Sequence, residues 1–282
     1  KNGSGADSAP GEVEMEQAYI EHDLASDMQL RAGLMLVPIG ILNETHEPTT
    51  FYGVERNPVE NRIIPSTYRV GGLGLSGRLA DSGFSYDLML HEGLKVNTTL
   101  TSTEAFGVRG GRQSSGNADA EDLGATSRLK YTAIPGLTLG AAVQYNRDVT
   151  QGNAPAGDSS DQDAILAAVN AEWQKGPFTA RALYARFNVD SDTAKTLKRD
   201  LQQGYYVEAG YRFLPDVGGF VRYNVYDDIR RAAVGSDDFE VKQTDVGVNY
   251  WLNPNVVFKA DYQLQSGADD DDGFNLGVGY QF

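Results

Sequence analysis

Residues 273–282 have the sequence GFNLGVGYQF, in which apolar residues alternate with polar residues or glycine up to the last position. Side chains of a β-strand point alternately to its two faces, so this period predicts a strand with one apolar and one polar face. Such a strand is ordinary in a soluble sheet, but this one ends on an aromatic residue. Its apolar positions are Phe274, Leu276, Val278, Tyr280 and Phe282.

The same alternation recurs upstream, and we count about thirteen such stretches. The clearest are MQLRAGLMLV (28–37), ILAAVNAEW (165–173), YYVEAGYRFL (205–214), TDVGVNYWL (244–252) and NVVFKADYQLQ (255–265). No stretch has a convincing helical period. The sequence therefore predicts an all-β fold of about thirteen strands.

The composition excludes several classes of protein. Lys and Arg number 24 against 39 Asp and Glu, and this net charge of -15 argues against a nucleic-acid partner. The absence of cysteine excludes disulfides and thiolate metal sites. No apolar run reaches the length of about 18 residues that a transmembrane helix needs, whereas a membrane-spanning strand needs only about ten alternating residues. No change in composition marks a second domain, so residues 1–282 are predicted to form one domain.

Short and long connections alternate along the chain. A meander with tight turns at one end and long loops at the other is typical of outer-membrane β-barrels, in which the short turns are periplasmic. The short connections are rich in Gly, Pro, Asn and Asp, the residues that close tight turns. They lie at 80–83, 134–136, 175–177, 214–219 and 253–255, and the long ones at 38–66, 96–122, 150–162, 190–203, 228–238 and 266–272.

A barrel explains the final strand. In hydrocarbon every backbone polar group must be paired within the protein, so we expect the last strand to pair with the first and to show lipid an apolar face. Aromatic residues at strand ends fit the boundary between lipid tails and headgroups. The alternative is a soluble β-sandwich with tyrosine-rich strands. The predicted aromatic belt consists of Trp173, Tyr211, Tyr250, Trp251, Tyr280 and Phe282.

The strand count raises a question about the start of the chain. Counting back from a periplasmic C-terminus, the stretch at 12–24 runs inward from outside, and residues 1–11 are expected in an extracellular loop. Bacterial single-chain barrels usually have an even number of strands. One expectation is that an N-terminal portion precedes this chain, and the alternative is a miscount that gives twelve or fourteen strands.

The connection at 37–68 differs from the other loops because it mixes apolar residues such as Ile39, Phe51 and Ile63 with charged ones such as Glu60 and Arg62. A loop surrounded by water would not need these apolar groups. We therefore predict that residues 38–66 fold into the barrel and narrow a pore. The alternative is a structured surface loop that packs on its neighbours.

The stretch from QAYIEHDL through VPIGILNETHEPTTFYGVERNPVE to FSYDLMLHEGL, residues 17–94, resembles the phosphate-selective porin O/P-like family. The resemblance covers about a third of the chain. It implies a 16-stranded outer-membrane barrel, usually a trimer, with a channel that inward-folded loops constrict and that Arg and Lys line. An N-terminal portion of three strands would then precede the chain. The acidic balance of this sequence departs from that pattern and bears against phosphate specificity.

Enzymatic and metal-binding chemistry is poorly supported by the sequence. Ser85, Asp87 and His91 share one face of a strand, but neighbours on one face are about 7 Å apart, too far for a nucleophile and its base. The run of acids at Asp269, Asp270, Asp271 and Asp272 is a weak candidate for a divalent cation, because consecutive acids on a strand cannot all face one ion. The glycine-rich stretch GVRGGRQSSGN does not join a strand to a helix and is no phosphate cradle. No enzyme activity and no cofactor are expected.

Charges on the predicted polar faces are nearly balanced. A cluster of Arg31, Arg56, Arg62 and Arg78 in a narrow passage would attract anions, whereas the acids concentrated in the long loops oppose this with a field that salt screens. We therefore predict a weak anion preference at high salt that shifts toward cations at low salt. The alternative is that the arginines pair with acids and only brace the wall. The predicted pore-lining residues are Arg31, Arg56, Arg62, Arg78, Arg128, Lys130, Arg181, Arg212, Arg222, Asp87 and Glu208.

These observations favour a Gram-negative outer-membrane porin for passive diffusion of small hydrophilic solutes or ions, with anions such as phosphate among the candidates. Expected partners are membrane lipid, lipopolysaccharide and two further copies in a homotrimer. One alternative is a non-conducting structural or adhesin-like barrel that acts through its acidic extracellular loops. Another is a soluble carbohydrate-binding β-domain, which would need aromatic residues on an exposed concave face.

Overall fold

A computed structural model describes residues 15–113, 115–155, 157–158, 161–229, 240–268 and 271–281. Its thirteen strands form one sheet in which each strand pairs antiparallel with its neighbours in sequence. The predicted all-β meander and strand number are confirmed. The strands are β1 (Ala18–Ala25), β2 (Met28–Leu36), β3 (Arg69–Arg78), β4 (Phe84–Glu92), β5 (Leu123–Tyr131), β6 (Leu137–Asn146), β7 (Asp163–Lys175), β8 (Phe178–Asp190), β9 (Leu201–Arg212), β10 (Val217–Asp227), β11 (Glu240–Asn253), β12 (Val256–Gly267) and β13 (Gly273–Tyr280).

The connections alternate in length as predicted. At one end of the sheet, tight turns join β1 to β2, β3 to β4, and each later pair of the same kind through β11 to β12. Glycine is needed in some of them: Gly136 has φ +80°, and a Cβ there would lie 2.2 Å from the carbonyl oxygen of Gln174. The long connections lie at the other end. The long connection between β2 and β3 is called loop A (37–68), and the one between β4 and β5 is called loop B (93–122).

The two ends of the meander form the edges of the sheet. Among the described residues β1 pairs only with β2, and β13 pairs only with β12. The expected pairing of the last strand with the first is therefore not present in this sheet. Residues 1–14 lie outside the described residues, so the expectations for residues 1–11 and for the start of the stretch at 12–24 have no structural counterpart.

The two faces of the sheet differ as a membrane barrel requires. The outward face is apolar and exposed, as at Val169, Val207 and Val246, and the inward face is polar and mostly buried. Exposed aromatic rings pair across strands near the short turns, with centroids 4.8 Å apart for Phe84 and Tyr131. The other pairs are Phe178 with Tyr211 and Tyr250 with Phe258.

Trp251 does not belong to the outer aromatic belt. It follows Tyr250, so the strand period turns it inward, where its indole Nε1 donates to the carbonyl oxygen of Thr49 at 3.0 Å. Trp173, Tyr211, Tyr250 and Tyr280 are exposed on the outer face. Phe282 lies outside the described residues.

In the part of the chain that the structure describes, helical structure occurs only as short turns in the connections. The sequence predicted no helix, and the structure has one α-helical turn, α1 (Asp192–Thr196), which Ser191 caps by accepting from the backbone N–H of Ala194 at 3.1 Å. A π-helical turn spans Val59–Ile63, and 3₁₀ turns span Ala80–Ser82 and Arg109–Gly111. None of the helices in the described part of the chain is long and apolar enough to cross a membrane.

The main apolar cluster lies inside the sheet, toward the long-loop end. Loops A and B pack there against the inward faces of β7, β8 and β9, and we call this cluster the loop core. The alternation of the strands did not predict it, because these inward positions are apolar only near the long-loop ends. The loop core includes Val37, Ile39, Ile63, Ile64, Leu94, Phe106, Val108, Val149, Leu166, Phe187 and Tyr206.

Candidate pore constriction

Hydrogen bonds within loop A join the two ends of the loop. The Asn43 amide donates to the carbonyl oxygens of Val37 and Tyr68 and accepts from the Tyr68 N–H at 2.7 Å, which ties the two ends of the loop together. The two carbonyl oxygens also accept backbone bonds from Ile39 and Val37, so the Asn43 amide adds to a backbone connection that is already present. The base of loop A is therefore a closed ring.

Glu60 is buried in the middle of loop A, with 1% of its surface exposed. One carboxylate oxygen accepts from the backbone N–H groups of Ile41 and Leu42, and the other accepts from Asn57 and from the phenol of Tyr206 at 2.8 Å. A buried carboxylate is stable only when such bonds replace water. Tyr206 is on β9, so Glu60 also joins loop A to the wall.

Residues 48–54, which we call the tip, cross the inner face of β8–β13. Backbone groups of a loop need partners when water is excluded, and wall side chains provide them. Much of the attachment of the tip is therefore made through its backbone. Wall donors bond its carbonyl oxygens as follows: Trp251 to Thr49 at 3.0 Å, Arg181 to Thr50 at 3.1 Å, Asn249 and Lys259 to Phe51 at 3.1 and 3.0 Å, and Arg222 to Tyr52 at 3.3 Å.

Wall acceptors complete the attachment of the tip. The Asp261 carboxylate accepts from the N–H of Val54 at 2.6 Å, and the Asn249 amide oxygen accepts from the N–H of Gly53 at 3.4 Å. Lys259 also lies over the ring of Phe51, with its Nζ 3.6 Å from the centroid. Asn249 thus clamps the tip with both ends of one amide.

Five charged residues of alternating sign form a ladder across β7–β11. They occupy directly paired positions on consecutive strands, so each charge lies beside two of opposite sign or, at the ends, one. Cross-strand pairs of opposite charge stabilise a sheet, and pairing is obligatory for buried charges. The ladder runs Glu172, Arg181, Glu208, Arg222 and Asp245, with closest nitrogen–oxygen distances of 3.4, 3.8, 3.3 and 3.0 Å in that order.

Other predicted cations are also paired. Arg128 on β5 contacts Glu44 of loop A and Asp87 on β4, the latter at 2.7 Å. Arg31 contacts Glu21 at 2.6 Å across the β1–β2 pair. Arg62 of loop A contacts Asp228, which follows β10, at 2.7 Å, so loop A has a second ion pair with the rest of the molecule. These contacts match the alternative interpretation of the sequence, in which arginines brace the wall.

Two predicted cations, Arg78 and Arg212, lie at the short-turn ends of their strands. Arg78 contacts Asp27 at 2.7 Å, and 71% of its side chain is exposed. Arg212 stacks on Trp251, 4.0 Å from the ring centroid. Strand alternation gives the face of a residue but not its height. Lys130 is partly buried on β5, and among the described residues it has no ion pair within 4 Å.

A cavity with a volume of about 1030 Å³ lies between the tip, β13 and the residues before β1. Its basic residues are Arg56, Arg109, Arg112 and Lys259, and its acids are Glu16, Glu47 and Glu55. A second cavity of about 600 Å³ continues from it past Arg56 toward β11–β13 and is also lined by Arg62. Both cavities are lined by residues of loop A, and Arg56 lines the two of them.

Arg56 carries a charge at the junction of the two cavities. Burial lowers the pKa of Arg56, Glu16 opposes that effect and Arg112 adds to it. An arginine pKa begins so far above neutrality that the side chain stays protonated. Arg56 and Arg112 therefore present two positive charges to the same space.

Arg109 and Arg112 of loop B were not predicted as pore residues. Arg109 donates to the carbonyl oxygen of Asn61, and Arg112 donates to the carbonyl oxygen of Ser66 and to the Thr67 hydroxyl at 2.8 Å. Each arginine thus fastens loop B to loop A while it lines the cavity. The stretch GVRGGRQSSGN was the available signal, but nothing in it shows that loop B turns inward.

The structure describes the catalytic candidates and part of the metal-binding candidate considered from sequence. The ring of His91 contacts the Thr126 hydroxyl at 2.9 Å and the carbonyl oxygen of Glu92, rather than Asp87. Asp271 and Asp272 are exposed, and Asp272 accepts from the N–H of Gln265 at 2.7 Å. Asp269 and Asp270 lie outside the described residues. Within the described ranges no group of three or more His, Asp or Glu could hold a metal ion.

Solved porin structures share this architecture. Salmonella typhi OmpF in complex with daunomycin is 15% identical, with a TM-score of 0.60 over 94% of this chain and 88% of that one. An anion-selective porin from Comamonas acidovorans is 13% identical, with a TM-score of 0.55 over 90% and 69%. The likeness at these identities concerns the fold.

Sequence comparison identifies the family. An uncharacterized protein of Aquifex aeolicus (strain VF5) is 25% identical over 299 residues, which cover 96% of this chain and 66% of that protein. This chain thus spans about two thirds of the length of its relative. The profile of the family described as phosphate-selective porin O and P matches residues 1–272. The chain therefore belongs to the phosphate-selective porin O and P family of outer-membrane proteins.

Proposed function

We propose that the protein is a passive-diffusion channel of the outer membrane for small hydrophilic anions, with loop A as its constriction. The family and the fold point to a channel rather than to an enzyme. The observation that carries the proposal is the cavity beside the tip, which Arg56, Arg109 and Arg112 all line.

The source of anion preference is the loops rather than the wall. The guanidinium groups of Arg181 and Arg222 contact ladder acids and donate hydrogen bonds to the tip backbone, so few of their N–H groups are left to bind a solute. Arg56, by contrast, lies where the two cavities meet. Guanidinium groups suit phosphate and carboxylate because their planar donors match both oxygens.

The acidic loops oppose this preference in a salt-dependent way. Their field extends about 8 Å at physiological salt and about 3 Å at 1 M. The proposal is therefore a weak anion preference at high salt that moves toward cations as salt is lowered. Phosphate itself is one candidate solute among small anions.

The proposed assembly is a homotrimer in a lipopolysaccharide-containing membrane. The outward face of the sheet supports contact with lipid, since most of its exposed residues are apolar. The family resemblance supports the trimer. The net charge of -15 supports the absence of a nucleic-acid partner.

A specific observation also favours the second candidate, a non-conducting barrel. The loop core fills one side of the lumen with residues such as Phe106 and Phe187, which are fully buried. If it blocks passage, the function would belong to the acidic outer loops. Conductance of the full-length protein in planar bilayers separates the two: stepwise openings support the channel, and a correctly folded but silent protein contradicts it.

Selectivity tests the role of Arg56. We expect Arg56→Gln to lower the anion-to-cation permeability ratio at 1 M salt by roughly twofold to fivefold. This is the effect expected from the interaction energy between one charge and an ion a few ångströms away in water. Arg78→Gln is the matched control, because Arg78 is exposed at the short-turn end. Reversal potentials across a salt gradient give the ratio. Equal effects of the two substitutions would contradict the assignment of the constriction.

A further inference from the structure

Four glycines of the wall lie directly against the tip. A Cβ added at Gly279 would lie 2.2 Å from the Cβ of Pro48, and one added at Gly277 would lie 2.8 Å from a methyl carbon of Val54. Carbon atoms that are not bonded do not approach this closely. The tip therefore occupies the space that side chains of β13 would need.

The same arrangement occurs on the opposite side of the tip. An added Cβ at Gly210 on β9 would lie 2.4 Å from the ring of Tyr52, and one at Gly218 on β10 would lie 2.8 Å from its phenol oxygen. None of these glycines has a backbone angle that disfavours other residues, since no positive φ occurs at these positions. Space, rather than backbone conformation, is what requires glycine here.

We propose that Gly210, Gly218, Gly277 and Gly279 form a seat that positions the tip and thereby sets the size limit for solutes. The consequence for solutes rests on the proposed channel function, whereas the seat itself does not. The tip is then a static constriction rather than a moving gate.

Hydrogen bonding supports a static tip. Four successive carbonyl groups, from Thr49 to Tyr52, accept from wall side chains, and two N–H groups donate to the wall. Leaving the wall would break all of these bonds together. The glycines of the seat allow the tip to lie close to the wall, and the hydrogen bonds between tip and wall form at that short distance.

A double-cysteine variant tests the seat without reference to transport. The chain has no cysteine of its own. An added Cβ at Gly277 would lie 3.7 Å from the Cβ of Val54, close to the mean of about 3.8 Å in disulfides. In the full-length protein we expect Val54→Cys with Gly277→Cys to cross-link readily under mild oxidation, and we expect the oxidised and reduced forms of this variant to have the same single-channel conductance.

The control places the second cysteine elsewhere on the same strand. A Cβ at Gly273 has no neighbour within 4 Å, so Val54→Cys with Gly273→Cys should not cross-link. Absence of the Val54–Gly277 cross-link would overturn the seat. A cross-link that forms but closes or alters the channel would overturn the static tip. If the unmodified protein does not conduct, the channel proposal fails while the cross-link still reports on the seat.

A bulky residue in the seat gives a second, independent measurement. With Val54→Cys as a reporter, we expect Gly277→Val to raise the rate of labelling by a membrane-impermeant maleimide several-fold, because the added side chain displaces the tip. Gly273→Val should leave the rate unchanged. Equal rates in both variants would contradict the seat, and the cross-link decides the matter if Gly277→Val does not fold.

Discussion

Loop A is held in two different ways on the two sides of the lumen. Toward β7–β9 it packs into the loop core, where Ile63 and Ile64 are fully buried against apolar wall residues. Toward β10–β12 its tip is held by hydrogen bonds with the side chains of Asn249, Lys259 and Arg222. Apolar packing fills space and excludes water, whereas polar ties fix a segment and allow water beside it. The cavities accordingly lie on the tip side.

The largest effect is expected from a cavity in the loop core. Phe187 on β8 is fully buried there, and a buried Phe→Ala substitution costs about 3–5 kcal/mol of unfolding free energy. Denaturant unfolding of Phe187→Ala in lipid vesicles measures it. Leu100→Ala, at a position of loop B that is 37% exposed, is the control and should change little. Equal losses would show that the loop core is not tightly packed.

A smaller effect is expected where the tip is tied. Asn249→Ala leaves the N–H of Gly53 without its wall acceptor and removes one donor from Phe51, whose carbonyl keeps Lys259. Such a loss costs about 1–3 kcal/mol. The same unfolding experiment measures it, with Gln29→Ala as a control because the bond of Gln29 to Asp23 is exposed. A loss equal to that of Phe187→Ala would remove the distinction between the two sides.

The smallest effect is expected outside both regions. Arg147 contacts Asp161 at 3.2 Å in an outer loop, but 67% of its side chain is exposed. Exposed ion pairs contribute little and are screened by salt. Arg147→Gln should leave unfolding unchanged at 1 M salt, whereas Arg222→Gln, which breaks the buried ladder, should destabilise the protein at any salt concentration. A clear loss from Arg147→Gln at 1 M salt would contradict this ranking.

The fold was predictable because its signals are local. Alternation fixes which face of a strand is apolar, and Gly, Pro and Asn mark the short turns, so both strands and connections follow from neighbouring residues. At Trp251 alternation alone gives an inward side chain, but the expectation that aromatic residues lie at the membrane boundary assigned it to the outer belt. The short helix α1 escaped notice because five residues carry too little period to detect.

The site was less predictable because its contacts are distant in sequence. Alternation placed Arg181 and Arg222 on the inner wall but could not show that they bond the tip, more than 120 residues away. It placed Arg31 and Arg78 on one face without giving their different heights. Arg112 lines the cavity only because loop B turns inward, which follows from packing that no local pattern encodes.

The charge ladder has a consequence for how the barrel assembles. A slip of one residue between two strands turns every side chain to the opposite face, so burial alone excludes it. A slip of two residues preserves the faces, and only specific partners can penalise it. Moving β9 by two residues would place Arg181 opposite Tyr206 or Gly210 instead of Glu208. From β7 to β11 the ladder therefore selects one alignment of strands among several that hydrophobicity alone would accept.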